Sequence, residues 1–201
     1  LRISTDQIVV GSALLGRAAV ATNAKDGRLT ITVGDAEPYG GQGEATFTAA
    51  MTGGALTASA EVDVDQVPAA AALAGMLGFS ALDGTASASV DLSATGARWG
   101  AFADSLAGQA KLRLADGTLT GLDVTKLPGV LAESAADWSG STAFTAATGT
   151  VDVAGLSIAS TDIHAEGPAF SLDLAGKASL TDPTVEARGV LTLPGAGGDE
   201  A

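Results

Sequence analysis

The 201-residue chain is long enough for one large or two small domains. Its 23 acidic against 10 basic residues leave a net charge of −13, which by simple repulsion opposes nucleic-acid phosphate and anionic headgroups as direct partners. With no cysteine there is no disulfide framework, thiolate nucleophile or Cys-based zinc site. Aromatic residues make up only 4%, so Ala, Val and Leu carry the apolar content, and such small side chains pack in thin layers.

Period-2 alternation starts at once and dominates the chain. Leu29, Ile31 and Val33 alternate with Arg28, Thr30 and Thr32, then Ala45, Phe47 and Ala49 with Glu44, Thr46 and Thr48. Leu56, Ala58, Ala60, Val62 and Val64 alternate with Thr57, Ser59, Glu61, Asp63 and Asp65. Each run predicts a strand with one apolar and one wet face. Pro68 at a first helical position predicts a helix over Ala69–Leu77. The apolar run Val67 to Leu82 is broken by Pro68, Gly75 and Gly78, whereas a membrane span needs about 20 continuous apolar residues.

Ala86, Ala88, Val90, Leu92 and Ala94 repeat the strand pattern, and Trp99, Phe102, Ala103 and Leu106 have helical spacing. From Leu106 to Val124 the order reads as helix end, strand, hairpin turn, strand and helix start. Gly108 closes the helix in a left-handed conformation, Leu112 and Leu114 alternate with Lys111 and Arg113, and Asp116-Gly117 suits a tight turn. Gly121 and Asp123 lead into a helical patch within Val124–Ala136, with Asp123 as its cap. Later strands are expected at Thr148–Val153, Leu156–Ala165, Phe170–Leu174 and Val185–Leu193, with a frayed tail over 194–201. Turn chemistry at Asp26-Gly27, Gly40-Gly41, Gly53-Gly54, Asp83-Gly84, Asp116-Gly117, Gly155, Gly167-Pro168 and Asp182-Pro183 implies successive antiparallel hairpins.

Three stretches together resemble the AsmA family. Gly27-Arg28-Leu29-Thr30-Ile31 leading to Tyr39-Gly40-Gly41-Gln42-Gly43 is similar to that family's first hairpin. The element from Leu82 to Val124, with Gly108, Asp116, Gly117, Gly121 and Asp123, is similar to the middle of its C-terminal domain. Thr142-Ala143-Phe144 with the strands after it resembles its closing segment, although Ala147-Thr148-Gly149-Thr150 is more polar than the family pattern. The resemblance implies a periplasmic segment of a protein anchored in the inner membrane of Gram-negative bacteria. It also implies a role in outer-membrane biogenesis through β-grooves that carry phospholipids. Acyl chains are then the expected partner, with envelope proteins as further partners and membrane contact made through regions upstream. The chain opens at Leu1 within a strand-like pattern and is read as a piece of a longer protein.

Other chemistry has weak support. Glu61, Asp63 and Asp65 share a strand face, but no Asp-x-Asp-x-Asp-Gly loop accompanies them, so they read as a solvated acidic face rather than a calcium site. His164, the only histidine, alternates onto the wet side. Gly40-Gly41-Gln42-Gly43 lacks the Lys-Ser/Thr of a phosphate loop. No nucleophile, acid–base pair or cofactor cradle stands out, so a non-enzymatic protein without metal or cofactor is expected.

The expectation is a mainly β fold with a few short helices, its strands forming an elongated, strongly bent antiparallel sheet shaped as a groove or half-barrel. Residues 1–66 form a hairpin region continuing an upstream groove, 67–193 the C-terminal β domain and 194–201 the tail. Leu56, Val62, Val64, Val90, Leu92, Leu112, Leu114, Phe170, Leu172 and Leu174 are the lipid-contact candidates, whether as an open groove or a sealed core. Trp99, Phe102 and Leu106 are candidates for a helical plug. A surface adhesin of passenger type is the alternative, and stacked coils with polar ladders would mark it.

Overall fold

A computed structural model describes residues 1–10, 13–78, 80–126, 139–179, 181 and 184–194. The strands are β1 (Arg2–Val10), β2 (Ala13–Lys25), β3 (Arg28–Ala36), β4 (Gln42–Thr52), β5 (Ala55–Pro68) and β6 (Leu82–Gly96). They continue with β7 (Ala107–Thr120), β8 (Ser141–Ala154), β9 (Ser157–Gly167), β10 (Phe170–Ser179) and β11 (Val185–Thr192). All join one sheet in sequence order, each pairing antiparallel with the next. The sheet does not close: β1 and β11 lie at opposite edges. It is a bent antiparallel meander rather than a stack of coils.

Two short helices interrupt it. α1 (Ala69–Leu77) follows β5, with Pro68 as its extended N-cap rather than its first helical residue. It ends at Gly78, whose φ of +68° is the left-handed conformation that glycine adopts without a Cβ clash. α2 (Trp99–Asp104) follows β6. Single turns of 3₁₀ helix occupy Pro38–Gly40 and Val124–Lys126. In the second, Asp123 caps as expected, accepting from the Thr125 N–H at 3.1 Å, while the remainder of the expected helical patch lies outside the described residues, as do Asp182-Pro183 and 195–201.

Three expected punctuation points prove to be strand interior. Asp83-Gly84 lies inside β6 and Asp116-Gly117 inside β7, which runs through that pair without turning. Gly108 does not close a helix: α2 has ended at Asp104, and Gly108 is the second residue of β7, paired with Leu92 and Val153. The Asp-Gly pairs form β-bulges. The register between β6 and β7 shifts between Asp83 and Thr85, and Asp116 takes a φ of +49°. Similar shifts follow Val33 in β3 and Val64 in β5, where Asp35 and Gln66 have φ of +50° and +54°. Bulges at the same end of neighbouring strands increase the local twist and bend the sheet there.

The core is small. Val124, Phe144 and Phe170 are buried together, with Leu82, Leu114, Leu122, Leu172, Leu191 and Leu193 packed around them. Thr142, also buried, ties the 3₁₀ turn to β8: its Oγ1 accepts from the Val124 N–H at 3.0 Å and donates to the Leu122 carbonyl at 2.7 Å. Glycine opens space for these rings. A Cβ on Gly117 would overlap the Phe144 ring, and one on Gly167 would overlap Phe170.

Candidate functional site

Antiparallel pairing puts directly opposed residues on the same face of a sheet, so register decides whether apolar alternation in separate strands adds up to one surface. Here it does. Ile3, Val20, Val33, Ala45, Val62, Val90, Ala110 and Val151 are opposed in series across eight strands. A neighbouring row runs from Ile31 through Phe47, Ala60, Leu92, Gly108, Val153, Ile158 and Ala178 to Val185. No charged side chain enters either row.

All ten lipid-contact candidates lie on this face, in three settings. Leu114, Phe170 and Leu172 belong to the core around Val124. Val62, Val64, Val90, Leu92 and Leu174 are half-buried in the strands. Leu56 and Leu112 are exposed, at 37% and 41%. The face is thus sealed at one corner and open over β3 to β7. Ile3, Leu29, Ile31, Val33 and Phe47 extend it beyond the ten, and the alternation around the last four already signalled this. Sequence reasoning placed Thr142 and Phe144 in the closing segment but not in the core, because a sequence pattern does not say which neighbouring strand a residue meets.

α2 roofs one part of the open face. A Cβ on Gly96 would meet the Phe102 backbone, so the helix rests directly on that glycine. The Thr95 N–H donates to Ser105 Oγ at 2.7 Å, Ser105 Oγ donates to the Phe102 carbonyl at 2.9 Å, and the Gly155 N–H donates to the Leu106 carbonyl at 2.6 Å. Beneath lies a recess of about 310 Å³ floored by Ile31, Phe47, Ala60 and Leu92 and walled by Phe102 and Leu106. Trp99 does not line it. Its ring stacks on Phe102 at 5.9 Å between centroids and is 81% exposed.

The opposite face is wet. Thr46, Glu61, Asp91, Gln109 and Asp152 oppose one another in series, with Gln109 Nε2 donating to Asp152 Oδ1 at 3.0 Å. A larger hollow of about 1080 Å³ on this side includes Glu44, Asp63, Asp65, Lys111 and Arg113, whose mixed charges select no single ligand. His164 Nδ1 lies 2.8 Å from Asp173 Oδ1 on the same face. Among the described residues no cluster of three or more His, Asp or Glu side chains is arranged to hold a metal ion.

The rows of the open face run mainly through β1 to β8, the first three-quarters of the chain. A model of the AsmA family matches residues 1–157. The chain belongs to the AsmA family. No curated protein and no solved structure gives a significant match. Of the positions that carried the resemblance to the AsmA family, Tyr39, Gly40 and Gly41 form the tight connection from β3 to β4, with Tyr39 at φ +51° and Gly40 at φ +88°. Gly121 and Asp123 bracket the step from β7 into the 3₁₀ turn. AsmA-family membership is consistent with a role in envelope and outer-membrane biogenesis.

Proposed function

We propose that this chain is a non-enzymatic periplasmic segment of an AsmA-family protein, anchored to the inner membrane through other parts of the molecule. Its open sheet face shields phospholipid acyl chains on their way between membranes. The observation that carries the reading is exposed area. The chain has 12494 Å² of accessible surface, whereas a compact monomer of its mass exposes about 8500 Å². The excess goes with a one-layer architecture: the sheet has a core at one corner, the six-residue α2 at another and α1 packed against β2, β5 and β6 with Ala69 and Ala72 buried, and the described residues add no further layer. An apolar surface of this extent on a soluble domain marks an interaction site.

The chemistry suits acyl chains. Each methylene shielded from water is worth about 0.8 kcal/mol, and a row without charged side chains offers that gain continuously from strand to strand. With strands about 4.8 Å apart, the nine strands of the longer row give a path of about 40 Å. The acidic reverse face keeps the segment in water while the apolar face is occupied.

Site-specific photo-crosslinking in the full-length protein tests this. Probes at Val90 and Leu112, on the open face, are expected to yield phospholipid adducts, and a probe at Leu172, inside the core cluster, is not. Folded protein with no adduct at Val90 or Leu112 overturns the reading.

A further inference from the structure

The antiparallel meander gathers one set of strand ends at the α2 end of the sheet: the starts of β1, β3, β5, β7, β9 and β11 and the ends of β2, β4, β6, β8 and β10. Charge is divided unevenly between the two ends. In the three terminal residues of each strand and in the connections, the described residues of the end opposite α2 hold Asp35, Glu37, Glu44, Asp83, Asp123 and Glu166 with one cation, Lys126. By the same measure the α2 end holds Arg2, Lys25, Arg28, Arg98 and Lys177 against Asp26, Asp104, Asp152 and Glu186. Half of the chain's ten cations are therefore at one end of a protein whose net charge is −13. Lys25 and Lys177 are paired with Asp26 and Glu186. Arg2, Arg28 and Arg98 make no ion pair with any described residue.

The same end carries large exposed apolar side chains: Trp99 at 81%, Val185 at 75% and Met51 at 60%. Unpaired arginines among projecting apolar side chains match the chemistry of an anionic bilayer surface, where cations meet phosphate and aromatic and aliphatic groups enter the headgroup layer. Global charge repels such a surface, and among the described residues only this end is free of a carboxylate excess.

We propose that the α2 end is a bilayer-docking surface, which places the recess under Phe102 and Leu106 at the point where an acyl chain leaves the membrane for the sheet. The proposal rests on the acyl-chain reading above for what moves, but the docking itself is separable from it. At 310 Å³ the recess is about twice the size of an apolar cavity that takes a benzene ring, so it holds a chain segment of about a dozen carbons.

The test uses co-sedimentation with vesicles of phosphatidylethanolamine and phosphatidylglycerol, and with vesicles of phosphatidylcholine alone. Each arginine at an anionic surface is worth about fivefold in affinity, so Arg28→Ser with Arg98→Ser is expected to weaken binding to the anionic vesicles about thirtyfold. Lys111→Ser with Arg113→Ser, an equal loss of charge on the wet face, is expected to leave binding within about twofold. In a Trp138→Phe background Trp99 is the sole tryptophan, and brominated lipid is expected to quench it. Circular dichroism checks that each variant is folded, and co-sedimentation stands without the Trp138 substitution. Equal weakening by both charge pairs, or no vesicle binding by folded wild type, overturns docking. If detergent-dispersed phospholipid still forms adducts at Val90 in that last case, docking falls while the acyl-chain reading stands. Quenching of Trp99 without any Val90 adduct supports docking and removes the acyl-chain reading.

Discussion

The Phe144 ring occupies the space where a side chain on Gly117, its cross-strand partner, would sit. In a sheet with so few large residues, one aromatic ring does the work of several aliphatic side chains, and it needs a bare backbone opposite to lie flat. Gly117→Ala is therefore expected to destabilise the chain by about 1–3 kcal/mol through overpacking against both the Phe144 ring and the Asp83 carbonyl of β6. Phe144→Leu in the same molecule should recover part of that loss. Urea melts of the two single variants and the double variant read the coupling, and strict additivity would contradict the packing argument.

Thr142 makes a second prediction in the same corner. Replacing it by Val keeps the shape but removes the hydroxyl that serves both the Val124 N–H and the Leu122 carbonyl. The buried amide would then lack a partner, at a cost of about 1–3 kcal/mol, whereas Thr142→Ser should stay close to wild type. Equal stability of the Val and Ser variants by thermal melting would rule out the hydroxyl as the tie.

Alternation such as Leu56 to Val64 or Ala86 to Ala94 reports directly on which side of a strand is apolar, so the strands and the common face could be read. α1 was legible from Pro68 and its alanines, and α2 from the spacing of Trp99, Phe102 and Leu106. Asp83-Gly84 and Asp116-Gly117 misled because Asp-Gly suits a bulge as well as a hairpin turn, since both take positive φ. Only the neighbouring strand distinguishes them. Gly108 misled for a related reason: its lack of a Cβ serves the close approach of the Asp91 carbonyl from β6, a contact far away in the sequence. The open extent of the apolar face was equally invisible, because alternation gives the sign of a face and not what lies over it.

Acid should loosen the corner that Thr142 holds. The Asp123 carboxyl lies below the usual carboxylate range, chiefly because the Thr125 hydroxyl donates to it, with the Thr125 N–H and Lys126 adding to the effect. A carboxyl depressed in the folded state stabilises fully above its unfolded value of about 3.9, and that contribution is lost as pH falls through the lower folded value. Asp162, held down by hydrogen bonds from Thr150 and Ser160, acts in the same direction. Melting temperature is therefore expected to be flat from neutral pH to about 5 and to fall below about 4. Asp123→Asn should flatten that fall, and an unchanged acid limb would show that the Thr125 contacts carry no linkage.

Val90 gives the sharpest separation between a surface that holds lipid and one that merely holds the fold. It lies mid-strand in the apolar row, opposed by Val62 and Ala110, and it is half-buried rather than sealed. An aspartate there keeps access to water, so the unfolding free energy should drop by about 1–3 kcal/mol and the chain should still fold. An acyl chain lying along the row would meet a carboxylate that must either lose its water or displace the chain. Phospholipid adducts at Leu112, in the neighbouring row of the same face, should then fall sharply in the folded Val90→Asp variant. Asp91→Val, next in sequence but on the wet face, should leave them unchanged. If Val90→Asp unfolds the chain outright, the row is core and not path. If it folds and adducts at Leu112 persist at the wild-type level, the chains do not travel along this row.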